Sequence, residues 1–353
     1  MVVNKKKKKI IAFILIIIAI IVIVPFFIAI SIYNDNFGMR FETPDYIRYE
    51  IDEFEGLNRK QYTFQSNKGQ ELVGYTYYKD TVSPKGLIVI SHGLGGGGHN
   101  SYMDVADYFA SNDYIVFAYD GTGNDESEGE NIIGLPQSII DLDYTLKFIK
   151  NNDDFSNLPI MLFGQSWGAY TVGSILNVHS DIKAIAMFSG FNSSFDIIKE
   201  QGKQMVGEGI QILSPYVSLI EFFKCGKYAS YNCVEGFENV DTGIMIVHSA
   251  DDTMISKENS YDVFYDLYSD NSRFKFIEYE DRGHTYLYYT DEARQNIKDL
   301  NEKFKLYKDT LNEEITDEMV SNFFNENMDK ESCFELDKKL LKDIVNFYDT
   351  YAK

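Results

Sequence analysis

The apolar positions of this chain change their spacing several times, and each spacing predicts a different element. Residues 10 to 32 are apolar without a single charge. Around Asn67-Lys68-Gly69-Gln70, the stretches QYTFQS (61–66) and ELVGYTYYK (71–79) alternate polar with apolar residues, which predicts a β-hairpin. Beyond Pro84 the runs become short and almost uninterrupted: GLIVIS, YIVFAY, PIMLFG, IKAIAMFSG, GIMIVHS and RFKFIEY. Runs of this kind suit strands covered on both faces, as in a parallel sheet. Between them lie segments with helical spacing. Tyr102 to Ser111 puts Val105, Ala106 and Phe109 on one face, and Ser138 to Lys150 does the same with Ile139, Leu142, Leu146 and Ile149. Strand and helix in alternation predict an α/β domain with right-handed crossovers, the hairpin adding antiparallel strands at one edge.

These patterns divide the chain into a basic segment (1–9), an apolar span (10–32), a linker (33–59), an α/β domain (60–290) and a charged, helix-prone tail (291–353). An insertion at 192–240, with apolar pieces at 210–213 and 217–223, predicts a lid over a pocket. The 23 uncharged residues of the span suffice to cross a bilayer. Lysines 5 to 9 precede it and predict a cytoplasmic N-terminus, which leaves the bulk of the chain outside the cytoplasm. The span exceeds the core of a cleaved signal peptide, so a single-pass anchor in the cell membrane is the expectation.

Composition narrows the partners. The formal charge is −21, and −26 once the five lysines are set aside, which disfavours nucleic acid and anionic lipid headgroups. Cys225 and Cys233 are near enough in sequence to pair, leaving Cys333 over, but nothing demands a bridge. No CxxC, HExxH or clustered His/Cys pattern occurs, so neither a metal nor a cofactor is expected.

The chemistry gathers around LFGQSWGAY. Gly164-Gln165-Ser166-Trp167-Gly168 falls between a strand and a helix of small residues, where a sharp turn lifts a serine hydroxyl above the sheet. Gly164 and Gly168 leave room for so tight a turn. A serine needs a base and an anion site. Of the five histidines, His284 alone follows a plausible acid and lies in a loop past the last strand. The acid is expected after the penultimate strand, where Asp252 is preferred and Asp251 competes. His92-Gly93-Leu94, after the first parallel strand, can aim a backbone N–H at developing negative charge, as can Trp167 at the start of its helix. Glycines 95–98 lack the GKS or GKT ending of a phosphate loop.

Taken together, SHGLGG, FAYDGTGNDESEG, GQSWG, HSADDTMIS and RGHTYL resemble the α/β-hydrolases, in particular the branch of monoacylglycerol-lipase-like and serine-aminopeptidase-like enzymes. The resemblance implies Ser166 as nucleophile, His284 as base and Asp252, four positions after His248, as its orienter. It also implies the Leu94 and Trp167 amides as anion site. DGTGNDESEG departs from the family's D-x-R-G-x-G-x-S-x-G at Thr122 and Asp125, and Ser249 stands where glycine is common. The function expected is acyl transfer to water on small acyl or lipid esters. The alternatives are an aminopeptidase, with Glu200, Glu208 or Glu221 holding a substrate ammonium; an acyltransferase; or a binding module without catalysis.

Overall fold

In the computed structural model, residues 5–80, 83–95, 97–238, 240–311 and 314–352 are described, and the side chains of residues 5, 6 and 16–18 are not. The side chains of Lys5 and Lys6 in the lysine run and of residues 16–18 in the apolar span, and Gly96 of the glycine string, therefore lie outside what is described.

Eight strands form one sheet: β1 (Asn58–Gln65), β2 (Glu71–Tyr78), β3 (Gly86–Ser91), β4 (Tyr114–Tyr119), β5 (Ile160–Gln165), β6 (Ala184–Phe188), β7 (Gly243–Ser249) and β8 (Phe274–Tyr279). Their spatial order is β1-β2-β4-β3-β5-β6-β7-β8. The hairpin β1–β2 and its junction with β4 are antiparallel; all other pairs are parallel. Continuous apolar runs are what this arrangement requires. On β3, Leu87 and Val89 enter one hydrophobic cluster while Ile88 and Ile90 enter another. On β5, Leu162 and Phe163 divide in the same way, as do Ile246 and Val247 on β7. Successive side chains point to opposite faces, so a strand covered on both faces has no polar position to spare. Each fully buried side chain of this size contributes about 1.5–3 kcal/mol.

The helices are α1 (Lys5–Phe37), α2 (Met103–Ala110), α3 (Gln137–Lys150), α4 (Trp167–Ser174), α5 (Ser194–Val206), α6 (Ile210–Cys225), α7 (Cys233–Glu238), α8 (Tyr261–Tyr268), α9 (Asp291–Thr310), α10 (Asp317–Asn327), α11 (Lys330–Cys333) and α12 (Lys338–Tyr351). Helices α3, α4, α7 and α8 cover one face of the sheet; α2 and α12 cover the other. The charged tail thus ends inside the domain. Leu340, Leu341, Ile344, Val345 and Tyr348 of α12 are buried on one helical face, and the Tyr348 hydroxyl donates to the Leu162 carbonyl oxygen at 2.7 Å. Asp337 caps this helix, its carboxylate accepting from the Lys339 and Leu340 amides at 3.1 Å.

Two further features position the site. Helix α1 continues past the apolar span to Phe37, and its far end packs on α6 of the 192–240 insertion, with Ala29 and Tyr33 against Val217 and Ile220. The chain then lies along the domain instead of hanging free. Arg40 donates to the carbonyl oxygens of Asp125, Ser127 and Gly129. Tyr49, buried, joins the cluster around α2. The three cysteines are buried and unbridged.

Within the insertion, Glu221 of α6 is buried and accepts from the hydroxyls of Ser194 (2.7 Å) and Tyr33 (3.5 Å). Burial pushes its pKa from 4.5 to about 7, against the lowering effect of these hydrogen bonds and of Lys224. An acid with a raised pKa favours the folded state while protonated, so stability is full below the unfolded value and falls as pH rises towards the folded one. Glu221→Gln, which has no proton to lose, is expected to exceed the parent by about 3 kcal/mol above pH 7 and to match it near pH 4. Thermal melts across that range measure the difference.

Candidate active site

The sheet prepares the site through one pairing. The chain leaves β3 for β4 on one side and later returns to β5 on the other, so a crevice opens over the carboxyl ends of β3 and β5. Ser91 and Gly164, near the ends of those strands, lie side by side. Residues 92 and 93 therefore run beside the turn that carries Ser166.

That turn is sharp. Ser166 has φ 55° and ψ −116°, a conformation sparsely populated by non-glycine residues. Its amide donates to the Phe188 carbonyl oxygen at 2.7 Å, and α4 starts at the next residue. The flanking glycines are sterically required. A Cβ on Gly164 would stand 2.3 Å from the Gly168 carbonyl oxygen, and one on Gly168 would stand 1.9 Å from that of Ser91.

Three distant residues meet at this turn. His284 Nε2 lies 2.8 Å from Ser166 Oγ, and its Nδ1 lies 2.8 Å from Asp252 Oδ2. The other carboxylate oxygen of Asp252 accepts from the Met254 and Ile255 amides, both at 2.9 Å. One aspartate thus orients the imidazole and closes its own turn. Burial works against the Asp252 charge, but the hydrogen bond and charge of His284 outweigh it, with help from the Ile255 amide, and hold its carboxyl below the usual value. His248, fully buried beside this carboxylate, is pushed below its ordinary pKa by that burial and gives Nε2 to the Ile255 carbonyl at 3.1 Å.

Asp251, the competitor, faces elsewhere. It accepts from the Ser249 hydroxyl (2.6 Å) and the Gly283 amide (2.8 Å), fastening the loop that bears His284. Ser249, where glycine was expected, also accepts from the Arg282 amide at 2.8 Å. Leu94 and Trp167 line the same cavity as Ser166. The Gly93 amide is already committed to the Tyr102 hydroxyl at 3.1 Å, and His92 bridges two segments, Nδ1 to the Gly93 carbonyl and Nε2 to the Gly121 amide.

Several positioning residues escape sequence reasoning. Gln165 donates to the Thr285 carbonyl at 2.6 Å and accepts from the Tyr288 hydroxyl at 2.8 Å, holding the histidine loop against the elbow. Ser189 donates to the His284 carbonyl at 3.1 Å. Asp125 has φ 36°, which explains why the resembling family uses glycine there. Its carboxylate is put to use, accepting from the Thr43 amide and hydroxyl and, at 3.1 Å, from the Gly98 amide. Thr43 and Gly98 are thereby bound together. Only the identity of Gln165 inside the elbow and the odd residue at 125 signalled any of this in the sequence.

Around Ser166 lies a cavity of about 590 Å³. Its walls come from α1, α5, residues 46–49, the loops after β3, β5 and β8, and the tail helices. Among the described lining residues there is no Asp, Glu, Lys or Arg. Glu200, Glu208 and Glu221 are not in the wall. Glu200 accepts from the Ser256 amide, Glu208 pairs with Lys203, and Glu221 is buried and bonded to the Ser194 hydroxyl.

Comparison with known proteins gives a consistent picture. The family model described as "Serine aminopeptidase, S33" matches residues 82–194. Human monoglyceride lipase is 34% identical over 93 residues, 26% of this chain and 30% of the lipase, so the match spans under a third of that relative's length. Among solved structures, an esterase of Pyrococcus furiosus superposes with a TM-score of 0.53 at 17% identity, covering 82% of this chain and 99% of the esterase. An acylaminoacyl peptidase of Pyrococcus horikoshii gives 0.51 at 15% identity, covering 77% of this chain and 45% of the peptidase.

Proposed function

We propose, from the premise that this chain has the α/β-hydrolase fold, that it hydrolyses carboxylic esters of apolar acyl groups through a serine acyl-enzyme. His284 takes the proton of Ser166 as the oxygen attacks the ester carbonyl. Asp252 fixes the tautomer of His284 and stabilises the imidazolium. The Leu94 and Trp167 amides receive the oxyanion, where each donor is worth about 3 kcal/mol of barrier. His284 then protonates the leaving alcohol, and a water activated by the same imidazole releases the acid. One observation carries the reading: the two 2.8 Å contacts that join Ser166, His284 and Asp252 at an uncharged cavity.

The same uncharged wall favours esters over peptides. A free amino terminus needs a carboxylate, and none of the three acids considered for that purpose reaches the cavity. The match to the serine aminopeptidase model keeps the peptidase reading in view. A fluorophosphonate probe should label Ser166, and p-nitrophenyl esters should be cleaved much faster than amino-acid nitroanilides. The reverse preference establishes a peptidase; product that forms only with an added alcohol, an acyltransferase; and absence of labelling, a binding module.

We place the enzyme at the cell membrane, held by α1, with the N-terminus cytoplasmic and the hydrolase domain outside. Helix α1 is long and apolar enough to cross a membrane. Lipid esters are then the substrates nearest to hand.

A further inference from the structure

We infer that the tail helices α9 and α10 build the acyl-chain site of this enzyme. The inference deepens the ester-hydrolase reading and rests on it. The cavity is far larger than a scissile ester needs, and its wall holds two groups of residues besides those around Ser166. One lobe lies between α1 and the lid, and includes Asn36, Phe37, Gln201 and Met205, together with Met254. The other lies under the tail, and includes Tyr46, Ile297, Leu300, Phe324 and Met328.

The two lobes differ in kind. Met205 and Met254 are 61% and 55% exposed, and Asn36 and Gln201 add polar atoms to their rim, so the first lobe is open. In the second, Ile297, Leu300 and Phe324 are buried in a hydrophobic cluster of their own, with Tyr46 stacked on Phe324 at 4.7 Å between ring centroids. That lobe is the more closed and the more apolar of the two, although the exposed Asn301 also lines it. An ester hydrolase must hold the acyl group on its serine while the alcohol departs and water arrives. The closed lobe suits the part that stays, and the open lobe suits the part that exchanges. A hydrocarbon chain gains by leaving water for such a lobe, and no charge in the wall opposes it.

Two measurements test the assignment. In the first, kcat/KM is compared for p-nitrophenyl decanoate and acetate in the parent, Leu300→Trp and Met328→Trp. An indole filling the closed lobe should lower the decanoate-to-acetate ratio about tenfold or more. Phe324→Ala, which removes bulk instead of adding it, should raise the tetradecanoate-to-decanoate ratio, which guards against a variant that merely misfolds. In the second, a dansylated undecanoic acid is titrated into Ser166→Ala protein, with and without Leu300→Trp. Loss of binding on adding the tryptophan supports the lobe without relying on turnover. Ratios and probe affinity that all stay at parental values overturn the inference while leaving the hydrolase reading intact. Probe binding that Leu300→Trp removes, in a parent that cleaves no ester, supports the hydrocarbon site and refutes the hydrolase reading.

Discussion

Ser166→Ala is expected to lower ester turnover by at least about 10⁴-fold while leaving the fold unchanged. Among the described residues, no other hydroxyl stands in its place: the 2.8 Å contact with His284 Nε2 is made by Ser166 Oγ. The structural cost is small for a specific reason. Ser166 stands at the start of α4, yet its side chain caps no helix amide. Its unusual backbone angles are imposed by the two glycines and the Phe188 carbonyl, all of which remain in the variant. Alanine therefore keeps the turn and loses only the nucleophile. Active-site titration with a fluorophosphonate, initial rates on a short ester, and thermal melting check both halves of the expectation. Turnover at the parental rate would remove Ser166 from the mechanism.

Asp252→Asn should cost about 10⁴-fold in kcat with the geometry largely kept. The asparagine oxygen can still accept from the Met254 and Ile255 amides, so the turn survives. Its amide group then faces His284 Nδ1 as a donor and drives the proton to Nε2, where it can no longer accept from Ser166. A pH signature accompanies the loss. Because His284 holds the Asp252 carboxyl below its ordinary value, this pair adds stability above the unfolded-state pKa of about 3.9 and loses it as pH falls through the lower folded value. Melting curves taken between pH 5 and pH 2 should show a steeper acid-side decline in the parent than in Asp252→Asn. Equal slopes would mean that the carboxylate gains nothing from the imidazole.

What the sequence makes legible here is local chemistry with a period. The strand runs are readable because burial on both faces removes every polar position, as Leu87 to Ile90 illustrate. The elbow is readable because two glycines flank a serine between a strand and a helix, and the steric reason for each glycine lies within the turn or on the neighbouring strand. Choosing between Asp251 and Asp252 was another matter. The two are adjacent, alike and both on the same loop; the family resemblance favours the one four positions after His248, and in space Asp251 meets the Gly283 amide while Asp252 meets the His284 ring. The segment after α1 read as a linker because its contacts are with remote residues, such as Thr43 with Asp125 and Tyr46 with Phe324. The tail showed its helices but not its division of labour. Nothing in the periodicity of α12 says that its partner is the sheet, or in that of α10 that it borders the cavity.

The packing of α1 on α6 bears on how the protein should be handled at the bench. Trimming away everything before residue 38, the usual route to a soluble preparation, strips Ala29 and Tyr33 from Val217 and Ile220 and takes Phe37 out of the cavity wall. The truncated domain would present a bare greasy strip on its lid, beside Phe222 and Phe223, which are already exposed. Such a preparation is prone to self-associate, and its substrate preference would describe a remodelled entrance. Detergent micelles or nanodiscs carrying the whole polypeptide are the setting in which its selectivity should be measured.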